Sequence, residues 1–101
     1  MFLKIRLDEI TELRLNELVT RYNSNISKII SHSIFYFENG IEPLHRNYGL
    51  MKYNHGIYIK ENIYNQLCHI SFSTKKSINK TVSYCINKLY ENKLEEYRNE
   101  Y

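Results

Sequence analysis

Two short segments place a lysine where the first turn of a helix usually carries an acid. Residues 25–28 (Asn-Ile-Ser-Lys) and 77–80 (Ser-Ile-Asn-Lys) each follow a break in the helical pattern and contain no acidic residue. The amino end of a helix is the positive end of its dipole, so an acid stabilises it and a lysine does not. The pattern indicates an anion supplied from outside the chain, and a phosphate fits. The alternative is that Lys28 and Lys80 are simply solvated.

The first residues of the chain alternate in character and carry a second candidate group. Residues 2–7 read Phe-Leu-Lys-Ile-Arg-Leu, which is typical of a half-buried strand with its apolar residues on one face. Arg6 lies on the opposite face, where it could donate two hydrogen bonds to a guanine edge. Such a contact is worth about 1–3 kcal/mol of base discrimination. The alternative for Arg6 is an ion pair with Asp8 or Glu9.

Catalytic chemistry has little support in the sequence. It contains no glycine-rich phosphate loop, no His-x-x-x-His pair and no credible serine or cysteine triad. Cys68 and His69 are adjacent in a predicted helix, so they point to different sides. With His45 and His55 their spacing fits no structural zinc pattern. We therefore expect no enzyme activity, no metal site and no cofactor, and we interpret Cys85 as a buried thiol in the core.

The length and composition predict one folded domain, residues 1–101. The chain has 101 residues, of which 43% are hydrophobic and 25% charged, enough for one core. It has no run of 18 apolar residues and no opening that resembles a signal peptide, so we expect a cytoplasmic protein with reduced cysteines. Alanine is absent, while isoleucine, asparagine, lysine and tyrosine dominate. This bias is typical of AT-rich coding, as in many viruses and plasmids.

Charge is unevenly distributed along the chain. The formal net charge is +3, but residues 91–101 hold four acidic and two basic groups, and residues 1–90 hold 12 basic against 7 acidic groups. The body therefore carries +5 and the tail −2. A mildly basic body with an acidic tail permits nucleic-acid binding without requiring it.

The elements that would position these groups follow from periodicity and capping. Asp8 is predicted to be the N-cap of a first helix, and residues 23–25 break that helix. A second helix is predicted from Asn25 to Asn39, with Gly40 closing it. The first helix is expected to bury Ile10, Leu15, Leu18, Val19 and Tyr22, and the second Ile26, Ile29, Ile30, Ile34 and Phe37. Beyond Gly40, Leu44, Leu50 and Met51 are expected to pack.

The strand–helix–helix order then recurs 52 residues later. Seven identical pairs align without a gap: Ile5/Ile57, Glu9/Glu61, Leu15/Leu67, Ile26/Ile78, Lys28/Lys80, Ser31/Ser83 and Ile34/Ile86. The chain therefore divides into a first repeat (1–40), a linker (41–53), a second repeat (54–91) and an acidic helical extension (92–101).

A single strand–helix–helix unit cannot fold alone, because its strand has no partner and its two helices cannot bury their apolar stripes. Two units solve both problems when their strands pair into an antiparallel ribbon and four helices share one core. The predicted fold is mainly α with a short two-stranded antiparallel β-ribbon. The outward face of that ribbon carries Phe2, Lys4, Arg6, Asn54, Gly56 and Tyr58, and a ribbon of this size fits the major groove of B-DNA.

This pattern resembles the ribbon-helix-helix (MetJ/Arc-type) transcription regulators, with two motifs fused in one chain as an intramolecular pseudo-dimer. The resemblance covers residues 2–39 and 54–91. It implies a sequence-specific regulator of transcription, a repressor or an activator, whose partner is double-stranded DNA. Its ribbon residues would read bases and the amino ends of its second helices would hold phosphates. The implied base contacts are Lys4, Arg6, Phe2, Asn54 and Tyr58, and the implied phosphate contacts are Asn25, Ile26, Lys28, Ser77, Ile78, Lys80 and Lys76.

The second repeat departs from the pattern of the first. His55 occupies the first inward position of its strand, and Gly56 stands where the first repeat has Lys4. Because glycine weakens strands, the second strand is expected to be short or bulged. Because the two strands differ, one chain should read an asymmetric DNA sequence.

A protein-interaction role is the rival interpretation. Ribbon-helix-helix folds also occur in antitoxins, where an extra segment masks a partner toxin, and the tail from Leu94 to Tyr101 could do so here. The same tail could instead join chains into a homo-oligomer, because Tyr90, Leu94 and Tyr97 recur on one helical face. We expect chains to assemble side by side on DNA, because one small ribbon covers few base pairs.

Overall fold

The computed structural model describes residues 1–37 and 48–99, except for the side chains of residues 93–99. Its elements are β1 (Phe2–Leu7), α1 (Glu9–Arg21), α2 (Ile26–Phe35), β2 (Tyr53–Tyr58), α3 (Glu61–Thr74) and α4 (Ile78–Asn99). The described chain is thus mainly helical with one two-stranded antiparallel sheet, as the sequence predicts. None of its helices is both long enough and apolar enough to cross a membrane.

The ribbon is regular over its whole length. Six residues of β1 pair with six of β2, from Phe2 opposite Tyr58 to Leu7 opposite Tyr53, with Lys4 opposite Gly56. No residue is skipped, so the expectation of a short or bulged second strand is wrong. The physical reason is that the Phe2 ring lies over Gly56, so that a methyl group there would meet the ring at 2.7 Å. A cross-strand aromatic ring supplies the packing that glycine lacks.

The helices begin at positions that follow the internal repeat. The first helix of each repeat starts at residues 9 and 61, and the second at residues 26 and 78, so both pairs lie 52 positions apart. The same offset relates Lys4 to Gly56, the pair at the middle of the ribbon. Equivalent residues of the two strands are therefore arranged about an approximate twofold axis through that pair.

The last helix, α4, lies at the centre of the core. Residues 81–89 are all buried, because α4 packs against α1, α2, α3 and β1. Ile5, Leu7 and Ile57 of the ribbon, with Ile59 just after β2, close the core from one side. Helices from both repeats thus share one core, and neither repeat encloses a core of its own.

The buried face of α1 differs from the predicted one at its two ends. Ile10 and Tyr22 are 50% and 47% exposed, while Thr11 is fully buried with Leu15 and Leu18. The helix begins at Glu9, behind the N-cap Asp8, and residues 11, 15 and 18 then form the row that faces the core. The orientation of α1 on the core therefore buries Thr11 and leaves the neighbouring Ile10 exposed.

The second helix is shorter than predicted. It ends at Phe35, and the Tyr36 N–H caps it by donating to the His32 carbonyl. The early end lets Phe37 turn back onto α4, where its ring centroid lies 5.6 Å from that of Tyr84. The predicted end at Asn39 and Gly40 lies outside the described residues, as do Leu44 and linker residues 41–47. The expectation that Leu50 packs is wrong, since it is 79% exposed, whereas Met51 is half-buried.

Candidate nucleic-acid interface

The outward face of the ribbon is open to solvent and differs from one end to the other. Arg6 opposes Asn54 at one end, Lys4 opposes Gly56 in the middle, and Phe2 opposes Tyr58 at the other end. All six residues are exposed, so no described helix covers this face. The structure therefore brings together the five predicted base contacts and Gly56 on one surface.

Arg6 keeps its guanidinium available. Among the described residues no ion pair or hydrogen bond involves that group, so the alternative pairing with Asp8 or Glu9 is absent there. Asp8 is instead buried beneath the strand end, where its carboxylate accepts from the N–H groups of Thr11 at 3.2 Å and Gly49 at 3.1 Å. The only exposed arginine on the ribbon is thus free to bind a partner.

Each second helix is capped by the side chain of the residue just before it, Asn25 and Ser77, so α2 begins one residue later than predicted. The Asn25 Oδ1 accepts from the Lys28 N–H at 2.9 Å, and the Ser77 Oγ accepts from the Lys80 N–H at 3.2 Å. These caps satisfy the third N–H of each helix and leave the first two without an acceptor in the described chain, at Ile26, Ser27, Ile78 and Asn79. The side chains of Lys28 and Lys80 are exposed beside them. Each helix start therefore offers free N–H donors and a cation, which is the chemistry of an anion site.

Two hydrogen bonds connect the ribbon to these helix starts. The Arg6 N–H donates to Asn79 Oδ1 at 3.0 Å, and the Tyr58 N–H donates to Ser27 Oγ at 3.1 Å. The 52-residue offset makes both donors and both acceptors equivalent pairs, so each strand is tied to the second helix of the other repeat. These bonds set the position of the helix starts relative to the outward face.

Sequence reasoning missed the connecting roles of Ser27 and Asn79. Both occupy the second position of a second helix, and both have a short side chain with an oxygen acceptor. That shared position was a detectable signal. The strand N–H groups they accept from lie 31 and 73 residues away in sequence, so the partners were not detectable locally.

Lys76 stands apart from the other predicted phosphate contacts. It is half-buried, and its ammonium lies 5.8 Å from the centroid of the Tyr84 ring. Its backbone N–H donates to the Ser71 carbonyl, and its carbonyl accepts from the Ser71 hydroxyl. A cation held against an aromatic ring is less free to follow a phosphate than Lys28 or Lys80. Its contact with phosphate stays a prediction.

A polar pair lies directly beneath the ribbon. His55 is half-buried on the inward face, as expected, and its Nε2 lies 2.5 Å from Glu12 Oε2 on α1. The contact satisfies a polar side chain at a position where the first repeat has Leu3. It also anchors β2 to a helix of the other repeat, so the ribbon rests on a fixed base.

The remaining candidate groups lie away from this face. Burial raises the pKa of the Cys85 thiol to about 12, which agrees with the predicted core thiol. A hydrogen bond with Cys68 raises the pKa of Tyr64. Within residues 1–37 and 48–92 no three His, Cys, Asp or Glu side chains are grouped as a metal site.

Of the three residues predicted to form an assembly face, Tyr90, Leu94 and Tyr97, only Tyr90 has a described side chain. The Tyr90 hydroxyl donates to Glu17 Oε2 at 2.7 Å, and this hydrogen bond raises the pKa of Tyr90. Tyr90 is therefore committed to α1 within its own chain. Leu94 and Tyr97 lie outside the described side chains.

Comparisons with family models, with curated proteins and with solved structures find no match to this chain. Its function is therefore argued from the geometry of the ribbon and the helix starts.

Proposed function

We propose that this protein is a sequence-specific, double-stranded DNA-binding regulator of transcription with a tandem ribbon-helix-helix architecture. One observation carries the proposal: an exposed ribbon face with two cations and an amide is flanked by two helix starts, each tied to the strands by a hydrogen bond. These hydrogen bonds would hold a groove-reading surface and two anion sites in a fixed relative position.

The ribbon face suits the major groove in size and chemistry. Two strands lie about 5 Å apart, and the groove is about 12 Å wide, so the ribbon enters it with its side chains toward the base edges. Arg6 would bind a guanine through two hydrogen bonds, and Asn54 would bind an adenine in the same manner. Lys4, in the middle of the face, would be a third base contact and would donate to a guanine.

The helix starts would then bind backbone phosphates on either side of the groove. The free N–H groups at Ile26 and Ile78 point to the phosphate oxygens in this arrangement, and Lys28 and Lys80 add charge, with Lys76 near the second site. Such contacts set the orientation of the protein on the duplex but carry no sequence information. They make affinity depend on salt, because each neutralised phosphate releases counterions.

Assembly and location belong to the same proposal. Several chains would bind side by side through the C-terminal region, because one ribbon covers only a few base pairs. The site of action is the cytoplasm, or the host cytoplasm if the protein is viral. A second candidate function is an antitoxin-like interaction module. It is favoured by the 22-residue α4, which continues to Asn99 beyond the buried residues 81–89.

The test is a titration against promoter DNA from the protein's own genome and against random DNA, each at two salt concentrations. Arg6→Ala is expected to lose the preference for promoter DNA. Lys28→Ala is expected to weaken binding to both DNAs alike and to reduce the salt slope by about 1. Arg21→Ala is the matched control, because it removes the same charge from the end of α1, where the guanidinium is paired with Glu17 at 2.8 Å.

Two results decide between the candidates. Tight, salt-dependent binding with the pattern above, and a mass that increases when chains bind DNA, supports the regulator and its assembly. A wild-type protein without preference over random DNA rejects the regulator. Capture of a toxin-like partner that is lost when residues 92–101 are removed would then establish the interaction module.

A further inference from the structure

The two ends of the ribbon face offer different chemistry. Arg6 and Asn54 form a hydrogen-bonding end, whereas Phe2 and Tyr58 form an aromatic end with ring centroids 5.1 Å apart. Phe2 is 49% exposed and Tyr58 71% exposed, so both rings present apolar surface to whatever the face binds. These rings lie on the same face as Lys4 and Arg6, so the face can meet a partner that carries both apolar and polar groups.

Gly56 positions the aromatic end. A β-carbon at residue 56 would lie 2.7 Å from Phe2 Cζ and 2.8 Å from Phe2 Cε2. Any other residue would therefore displace the ring from the strand. Glycine, which is otherwise a poor strand residue, leaves room for the tip of the Phe2 ring beside Tyr58.

We propose that the aromatic end, Phe2 and Tyr58 seated by Gly56, recognises the C5-methyl group of thymine. The inference rests on the proposed function and specifies its target: a non-palindromic site with a guanine bound by Arg6 at one end and a thymine at the other. The thymine methyl is the apolar group that the major groove presents, and aromatic side chains contact it. Hydrogen-bonding and methyl-contacting ends together distinguish the two orientations of the site.

The spacing of the two ends predicts the spacing of the bases. Phe2 and Arg6 are four residues apart on one strand, which corresponds to about 13 Å at about 3.3 Å per residue. Base pairs rise by about 3.4 Å. The thymine should therefore lie about four base pairs from the guanine.

The experiment uses the full chain and the duplex it prefers, obtained by selection from random DNA. Each thymine is replaced in turn by deoxyuridine, which removes only the methyl group, and each guanine by 7-deazaguanine, which removes the N7 acceptor. One or two uracil positions are expected to lower affinity about fourfold, the value of one buried methyl group. The guanine bound by Arg6 is the one whose replacement by 7-deazaguanine does not change the affinity of Arg6→Ala. The sensitive uracil positions should lie about four base pairs from that guanine.

Matched variants assign the methyl effect to the aromatic end. Phe2→Ala and Gly56→Ala should bind thymine and uracil duplexes equally, the second because its new methyl displaces the Phe2 ring. Tyr58→Phe keeps both rings and should retain the effect. Gly49→Ala is the control for Gly56→Ala, because its new methyl would meet no atom closer than 3.8 Å. Urea midpoints establish that each variant is folded, and Gly56→Ala provides the test if Phe2→Ala does not fold.

The outcomes separate the inference from the function on which it rests. A preferred sequence whose affinity no uracil changes overturns the methyl contact and leaves the regulator intact. A methyl effect that persists in both Phe2→Ala and Gly56→Ala also overturns it. Absence of any preferred sequence rejects the proposed function itself, and binding of a protein through the aromatic end would then replace both.

Discussion

Ser33 and Ser83 are both buried, but their hydroxyl groups differ in hydrogen bonding. Ser33 Oγ donates to the Ile30 carbonyl at 2.7 Å, whereas Ser83 Oγ is buried without a partner in the described chain. A buried polar group without a hydrogen bond costs free energy, and removing it recovers that cost.

We expect Ser83→Ala to leave the free energy of unfolding unchanged or to raise it by about 1 kcal/mol, and Ser33→Ala to lower it by about 1 kcal/mol. Urea denaturation of both variants measures the difference. Because the two substitutions remove the same atom at similar burial, each is the control for the other. A larger loss for Ser83→Ala than for Ser33→Ala would contradict the assignment.

The buried thiol of Cys85 makes the free energy of unfolding depend on pH. Burial raises the thiol pKa from 9.0 to about 12, so the unfolded chain loses this proton at lower pH than the folded chain. The thiol therefore contributes its full stabilisation below pH 9, and that contribution is lost as the pH rises toward 12. Between pH 8 and about pH 10.5 the free energy of unfolding should fall by about 2 kcal/mol more in the wild type than in Cys85→Ala. Urea denaturation at the two pH values measures this, and equal losses would contradict the buried thiol.

At the scale of elements, a polar contact sets how α1 lies on α4. Asn87 is fully buried, and its amide donates to Thr11 Oγ1 at 3.0 Å and to the Ser83 carbonyl at 2.8 Å. Its Oδ1 accepts from Arg14 at 2.7 Å. The contact satisfies the Thr11 hydroxyl, which the phase of α1 turns toward the core in place of Ile10.

Asn87→Ala is expected to lower the free energy of unfolding by about 3 kcal/mol, because it leaves groups on α1 without their partner and opens a cavity. The exposed Asn16→Ala on α1 should cost less than about 0.5 kcal/mol. Urea denaturation compares the two. The effect of Thr11→Val should be smaller in the Asn87→Ala background than in the wild type; strictly additive effects would show that the two side chains do not interact.

At the scale of the whole molecule, one chain supplies both strands of the ribbon and both halves of the core. In the single 12.3 kDa chain, α4 of the second repeat packs against α1 and α2 of the first. An assembly of two separate chains would gain stability with concentration by mass action. Here the pairing is intramolecular.

The urea midpoint should therefore be independent of protein concentration over about a hundredfold range without DNA. Circular dichroism at the two ends of that range measures it. A midpoint that rises with concentration would show that the native core needs a second chain. DNA-dependent assembly is a separate event, detected by the mass of the complex.

The sequence by itself determined the order and starting points of the elements. Alternation predicted β1, and the N-cap Asp8 predicted the start of α1. The break at residues 23–25 predicted the start of α2 to within one residue, and the 52-residue repeat predicted that the second half follows the first. These features depend on side chains within a few residues of each other. For the same reason the sequence could predict which side chains share the outward face of the ribbon.

Only the tertiary structure decided how these elements fit together. It seated Phe2 over Gly56, tied the strands to Ser27 and Asn79, and buried Thr11 against Asn87. In each case the partner lies tens of residues away in sequence, so no local pattern reports it. Side chains in a close-packed interior are selected by the shape and hydrogen bonding of what they meet, and what they meet is defined only once the chain has folded.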